Sequence, residues 1–447
     1  MLAGLLDLDW RFLLPAPPDG RFERLLLLGG PPAVAELAAR VGLARAVTLD
    51  PSERGDAVVC LHGAPLSLEQ AAARVEPGGV LYYEALRRGV PRLSRAAASL
   101  SGLGLVPCGI YWVHPAFTGA RTYFPVEARG AAEWYLGSRA RRWVERRVLR
   151  LRPDLPARVA RRFALVAVAD PTNRGALPFR ADALPRPLGR DDLHPLVLVH
   201  GDERSRVVML PFAADSREPV AVLKLHRRDV PAGESTHEQA ALTKLRARLG
   251  PELRTTVPEP LGVVRSGAAV ASVESFLRGE WLYARWGRRL SRAELIEDLE
   301  LTAAWLVAFQ RESRLELRRW DSDEIARSLE APLAAYEQAF GATAAEALLF
   351  ARLRAQAREL LGLPVPIVWQ HGDFSSYNVL RSGRAIHVVD WEAAAPALPL
   401  DDLLYFVTRW LYRAHGVTPE RVGDTLAELR ASGGADSFRS FRRLFLE

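Results

Sequence analysis

The sequence predicts a doubly wound α/β domain built on a parallel sheet, followed by an α+β half. Three observations predict it. From Arg24 to Glu84, short apolar runs alternate with helical patterns. From Leu196 to Leu225, three apolar runs follow one another with only polar connections between them, and helical patterns come after. Between the halves lies Pro178–Gly189 (PFRADALPRPLG), a Pro-rich stretch of linker composition.

Leu25–Leu28, Ala46–Leu49, Ala57–Leu61 and Val80–Glu84 read as strands, with helices over Pro32–Val41 and Leu66–Val75. Strands without a polar face belong in a sheet covered on both sides, a Rossmann-like arrangement. The segment GGVLYYE is similar to the fourth-strand region of class I methyltransferases. That resemblance implies a nucleoside cofactor approaching a Gly-rich turn after strand one. Here the turn reads LLLLGGPPA, with Gly29 and Gly30 followed by two prolines that lack N–H donors. Asp50 does end the second strand, where a ribose-binding acid would sit. The expectation for residues 1–150 is a degenerate methyltransferase-like domain with a structural or docking role, cofactor binding being the alternative.

Ala131–Leu151 reads as a helix, and residues 139–162 hold ten arginines against Glu145 and Asp154. Such a run is ordinarily a solvated face or a contact with an acidic neighbour. The tryptophans of the helix, Trp134 and Trp143, make residues 139–162 the candidate for a weak membrane-surface or polyanion contact. Residues 151–190 are then the end of this basic helix and a Pro-rich linker.

Composition narrows the function classes. The 447 residues are 49% apolar, enough for two sizeable cores. Net charge is +7, but residues 1–190 carry 27 arginines against 17 acids, while the remainder is slightly acidic. The basic excess is an N-terminal property, so no nucleic-acid partner is expected for the second half. The two cysteines, Cys60 and Cys108, are too few for a metal cluster. MLAGLLDLDW lacks a basic lead-in, and no apolar run approaches the roughly 18 residues that span a bilayer, so the expected setting is cytoplasmic.

The chemistry concentrates in Trp369–Glu392, WQHGDFSSYNVLRSGRAIHVVDWE. Val379–Leu380 and Ala385–Val389 read as a hairpin turning through Arg381–Arg384. Asn378 then precedes one strand and Asp390 ends the other, so two oxygen-bearing side chains converge at one mouth. That pair suits a hard cation such as Mg²⁺ bridging phosphates. Asp373 lies on the preceding loop, placed to face a hydroxyl.

The pattern H-G-D-x-x-x-x-N with a later D-W-E resembles the aminoglycoside phosphotransferase and choline kinase families, small-molecule relatives of the protein kinases. The resemblance implies a two-lobed kinase-like fold, with a small lobe over residues 191–280 and a large lobe over 281–447. It implies transfer of the γ-phosphoryl group of ATP to a hydroxyl of a sugar, amino sugar or amino alcohol. Asp373 would orient and deprotonate that hydroxyl, Asn378 and Asp390 would hold Mg²⁺, and His371 would brace the loop. Protein kinases usually carry Arg where Gly372 stands, which favours a small-molecule acceptor.

Other features follow in order. His200–Arg206 would be the flap over the phosphates. Of 60 basic residues only Lys224 and Lys244 are lysines, so Lys224, on the third strand, stands out as a retained ammonium suited to the α- and β-phosphates. Glu238 is its expected partner on the helix Glu234–Leu249, with Glu234 the alternative. Backbone at Glu274, Ser275, Phe276 and Leu277 would contact adenine. Asp402 would support the catalytic loop, with Asp401 the alternative. The rival reading is a catalytically inactive nucleotide-binding scaffold whose N-terminal domain docks a partner or membrane.

Overall fold

The computed structural model describes residues 4–15, 17, 20–86, 98–117, 119–139, 147, 151–152, 155–169, 177, 179, 184–185, 188–190, 192–199, 201, 205–227, 232–266, 269–288, 290–399 and 401–415. The chain divides into two compact units, one of residues 1–243 and 258–280, the other of residues 244–257 and 281–447.

The first unit opens with a 3₁₀ turn, Leu5–Leu13, and then builds one twelve-stranded sheet. Its strands are β1 (Phe22–Leu28), β2 (Ala44–Thr48), β3 (Gly55–Cys60), β4 (Val75–Leu86), β5 (Val106–His114), β6 (Thr122–Pro125), β7 (Arg162–Val168), β8 (Leu193–Leu198), β9 (Val207–Ala213), β10 (Ala221–Leu225), β11 (Pro260–Ser266) and β12 (Ala269–Ser275). They lie in the order β11-β12-β10-β9-β8-β6-β5-β7-β4-β3-β1-β2. Strands β2, β1, β3 and β4 pair in parallel, with helices Pro32–Arg40 and Leu68–Ala72 in the connections, and the rest of the sheet is antiparallel.

The apolar run of β1 is explained by burial on both sides. Leu25 and Leu27 enter one core with Leu8, Trp10 and Val34, while Leu26 and Leu28 enter the other with Leu68 and Ala71. Both cores continue across the sheet: the first reaches Met209, Leu223 and Val273, the second Leu210 and Phe212.

The sheet differs from the sequence reading in the middle. Arg162–Val168, read as part of the linker region, is a strand between β5 and β4, buried except at its first residue. Its run FALVAV is as apolar as β1, and it reads as a strand once the neighbouring prolines are given less weight. Pairing of Thr122 with Leu198 and of Tyr123 with Val197 then carries the sheet from β6 into β8 without interruption. The helix expected over Ala131–Leu151 is described for Arg129–Arg139. Half of the basic stretch 139–162, on which the expected surface contact rests, lies outside the described residues, as does most of Pro178–Gly189.

The turn after β1 is packed against the chain itself. Leu61 donates its N–H to Leu28 O at 2.8 Å, and Gly29 has φ +84°. A Cβ on Gly29 would lie 2.5 Å from Leu61 O, so the ends of β1 and β3 close on each other.

In the second unit, helix Arg292–Glu312 starts at a capping box in which Ser291 and Glu294 satisfy each other's backbone N–H. It supplies Trp305 and Phe309 to the core. Strand Pro364–Gln370 pairs with Glu316–Arg319 on one side and Ala395–Ala397 on the other. The expected hairpin forms from Val379–Ser382 and Ala385–Val388, with Ser382 opposite Ala385. Helix Asp401–His415 follows. Among the described residues no helix is long and apolar enough to cross a membrane.

Candidate active site

In the second unit, strand Pro364–Gln370 delivers the chain into the loop from His371 to Asn378. His371 is buried. Its Nε2 lies 2.9 Å from Val389 O, a carbonyl that only accepts, so this nitrogen carries the proton. Nδ1 is then the acceptor, and the N–H of Asp373 donates to it at 3.2 Å. Burial holds the imidazole below its ordinary pKa, which keeps it neutral for this bracing role.

Asp402 supports the same loop from the first turn of helix Asp401–His415. Its two carboxylate oxygens accept the N–H of His371 at 2.5 Å and of Gly372 at 2.9 Å. Asp401 is exposed; of the two acids, Asp402 is the one bonded to the loop. Gly372 has φ +82°, and a Cβ there would lie 2.6 Å from Ala393 O. Ring packing locks the arrangement: Trp391 sits 4.7 Å from His371 and 5.3 Å from Phe309, and Phe374 lies 5.8 Å from Trp305.

This frame brings three predicted site residues together. Asn378 Nδ2 donates to Asp373 O and Asp373 Oδ2, both at 2.9 Å. Val389 N–H donates to Asn378 O at 3.0 Å, which sets Asp390 at the same end of the hairpin as Asn378. Asp390 has φ +70°, the only non-glycine with positive φ among the described residues. Positive φ is uncommon in a non-glycine residue, and here it falls two residues past the strand, beside Asn378. No group of three or more His, Cys, Asp or Glu side chains that could hold a metal occurs among the described residues. The Asn378–Asp390 pair fits a cation such as Mg²⁺, which takes most of its ligands from phosphate and water.

The first unit holds the second group. Lys224 on β10 is buried, and its ammonium lies 2.5 Å from Glu238 Oε1 and 3.1 Å from Glu274 Oε1. Glu238 is carried by helix Ala232–Arg246, and its Oε2 pairs with Arg206 at 2.6 Å. The side chain of Glu234 lies outside the described residues. Sequence reasoning gives no role in this cluster to Arg206 and a different role to Glu274. Arg206 stands two residues before Val208, which pairs with Lys224 across the strands; that spacing places it on the lysine's face of the sheet. Glu274 was expected to offer backbone, yet it is the carboxylate that turns to the ammonium. Ser275 N–H bonds Glu259 O at 2.9 Å, and Phe276 packs on Trp134 with ring centres 5.8 Å apart.

Comparison with known proteins adds a family. The model of the phosphotransferase enzyme family, APH, matches residues 212–441. Solved structures that match part of the chain include a thermostable mutant of the aminoglycoside phosphotransferase APH(4)-Ia, at 16% identity and a TM-score of 0.34, over 51% of this chain and 80% of that one. A choline/ethanolamine kinase family protein from Mesorhizobium loti is 16% identical, with a TM-score of 0.33, over 54% of this chain and 73% of the other. A glucosamine kinase in complex with glucosamine, ADP and inorganic phosphate is 21% identical, with a TM-score of 0.33, over 57% and 68%. No curated protein sequence gives a significant match.

Proposed function

The chain belongs to the phosphotransferase enzyme family, and from that premise we propose that it moves the γ-phosphoryl group of ATP to a hydroxyl of a small molecule, a sugar, amino sugar or amino alcohol. The observation that carries the reading is the loop His371–Asn378, where one carboxylate is held by three separate devices. Asn378 fixes the Asp373 side chain, His371 fixes its backbone, and Asp402 fixes the two residues before it. A surface loop of no catalytic use has no physical need for so many bonds on one aspartate.

In this reading Asp373 aligns the acceptor hydroxyl and takes its proton as the oxygen attacks phosphorus. Asn378 and Asp390 would hold Mg²⁺, which neutralises charge on the phosphates when bound. Lys224, held in place by Glu238 and Glu274, contacts the α- and β-phosphates. A guanidinium is wider than the ammonium held between those carboxylates. With Ser275 N–H engaged by Glu259, the adenine contact falls to backbone at Phe276 and Leu277.

For residues 1–150 we propose a methyltransferase-like ancestry with a structural role. Support comes from the parallel strands β2-β1-β3-β4 and from the turn after β1, which is packed against Leu61.

The test is ATP turnover by the full chain against a panel of sugars, amino sugars and amino alcohols. Acceptor-dependent release of ADP, with phosphate recovered on the acceptor, is the expected result. Tight nucleotide binding without turnover on any acceptor would favour the inactive scaffold instead.

A further inference from the structure

The first residues of the described chain connect to Lys224 through ion pairs and a hydrogen bond to backbone. Asp9, on the turn Leu5–Leu13, is buried and faces Arg227, which lies three residues beyond Lys224. The contact is bidentate: Arg227 Nε lies 2.9 Å from Asp9 Oδ1, and Nη2 lies 3.0 Å from Oδ2. Arg11 Nη2 donates to Arg227 O at 2.6 Å, fixing the backbone of the same residue. The remaining guanidinium nitrogen of Arg227, Nη1, donates to Ser205 O at 2.6 Å. Ser205 adjoins Arg206, and Arg206 shares Glu238 with Lys224.

The geometry points to Asp9 and Arg227 as positioning residues for Lys224, which act by fixing Ser205–Arg206 so that Arg206 takes one oxygen of Glu238 and leaves the other to the ammonium. This rests on the reading of Lys224 as a phosphate contact. Two physical arguments support it. The Arg227 side chain is fully buried, and Asp9 accepts from both its Nε and its Nη2; without that carboxylate the guanidinium loses this bidentate contact, and its hold on Ser205 O is weakened. Arg206 also sets the charge of the cluster. It adds one positive charge beside Glu238, so its removal leaves the cluster one charge more negative where an anionic triphosphate has to approach.

The distance in sequence makes the inference specific. Asp9 is 218 residues from Arg227 and belongs to no nucleotide-binding motif. An N-terminal segment that merely filled space would need apolar residues such as Leu8 and Phe12, and would have no use for a buried acid.

The experiment titrates the full chain with Mg²⁺·ATP and, separately, with adenosine, in the variants Asp9→Asn, Asp9→Glu, Arg206→Gln and Lys224→Met. Each is checked by circular dichroism for folding at the titration temperature. Asp9→Asn and Arg206→Gln are expected to weaken Mg²⁺·ATP about tenfold while leaving adenosine affinity unchanged, because only the phosphates sense Lys224. Asp9→Glu is expected to recover part of the loss. A general structural role would move both ligands together and would overturn the proposal. So would wild-type Mg²⁺·ATP affinity in folded Asp9→Asn and Arg206→Gln when Lys224→Met has lost it. Should Asp9→Asn fail to fold, Asp9→Glu takes its place: a smaller loss confined to Mg²⁺·ATP is expected, and wild-type Mg²⁺·ATP affinity in it overturns the proposal. Unchanged Mg²⁺·ATP binding in Lys224→Met would instead sink the underlying reading of the lysine.

Discussion

The side-chain amide of Asn378 donates to both the backbone and the carboxylate oxygen of Asp373, each at 2.9 Å. Two acceptors on one side fix which end of the amide is nitrogen, so Asn378 Oδ1 is the end turned away from Asp373. One residue thus orients the candidate base and leaves its own amide oxygen for the proposed cation.

That relationship separates the two aspartates. Asp373→Asn is expected to keep Mg²⁺·ATP affinity within a few-fold while kcat falls by roughly 10²–10⁴, the range for a lost general base. Asp390→Asn should lower kcat and also weaken Mg²⁺-dependent nucleotide binding. Nucleotide titration with and without Mg²⁺, then turnover at saturating ATP, checks both. The opposite pattern would exchange the two assignments.

Lys224→Arg tests the ammonium between Glu238 and Glu274. The charge is kept, but the planar fork does not fit where a single nitrogen meets two carboxylates. A loss of roughly 2–4 kcal/mol in transition-state stabilisation is expected, about 30- to 1000-fold in kcat/KM. Near wild-type kinetics would make Lys224 an ordinary buried strand residue.

Gly372→Ala should damage the loop through backbone strain. The left-handed φ of +82° and the 2.6 Å approach to Ala393 O both oppose a side chain. A loss of roughly 1–3 kcal/mol is expected from the conformation alone, read as a lower denaturation midpoint. An unchanged midpoint with full activity would show that the loop relaxes freely.

Glu84 gives a pH test of the first unit. Its carboxylate accepts His62 N–H at 2.7 Å and Tyr82 O–H at 3.0 Å, and burial raises its pKa from 4.5 to about 7. The folded state therefore holds a proton that the unfolded chain releases between these values. Its contribution is fully present below pH 4.5 and is lost as pH rises through about 7, on the order of 3 kcal/mol. Glu84→Gln should flatten the fall in melting temperature between pH 5 and 8. A profile identical to wild type would show that Glu84 ionises normally.

The closed turn after β1 predicts how the chain meets a methyl-donor nucleoside. The full chain is expected to show no heat of binding with S-adenosylmethionine below millimolar concentration. Micromolar affinity would restore cofactor binding to the first unit.

What the sequence determined by itself was local. A hairpin of two short strands is set by its turn and its alternation, so the positions of Asn378 and Asp390 were legible at once. The scarcity of lysine singled out Lys224, and the helical register singled out Glu238. Tertiary structure decided the rest, because it joins residues that no local pattern relates. FALVAV became a central strand only because β4 and β5 lie on either side of it. Glu274 turned its carboxylate to Lys224 because β12 pairs with β10, placing Ser272 opposite the lysine and Glu274 two residues along. Asp9 met Arg227 across 218 residues because the N-terminal turn packs on the same sheet face as β10. Ion pairs of this kind leave no periodicity in the chain, since long-range pairing is fixed by the sheet order rather than by spacing in sequence.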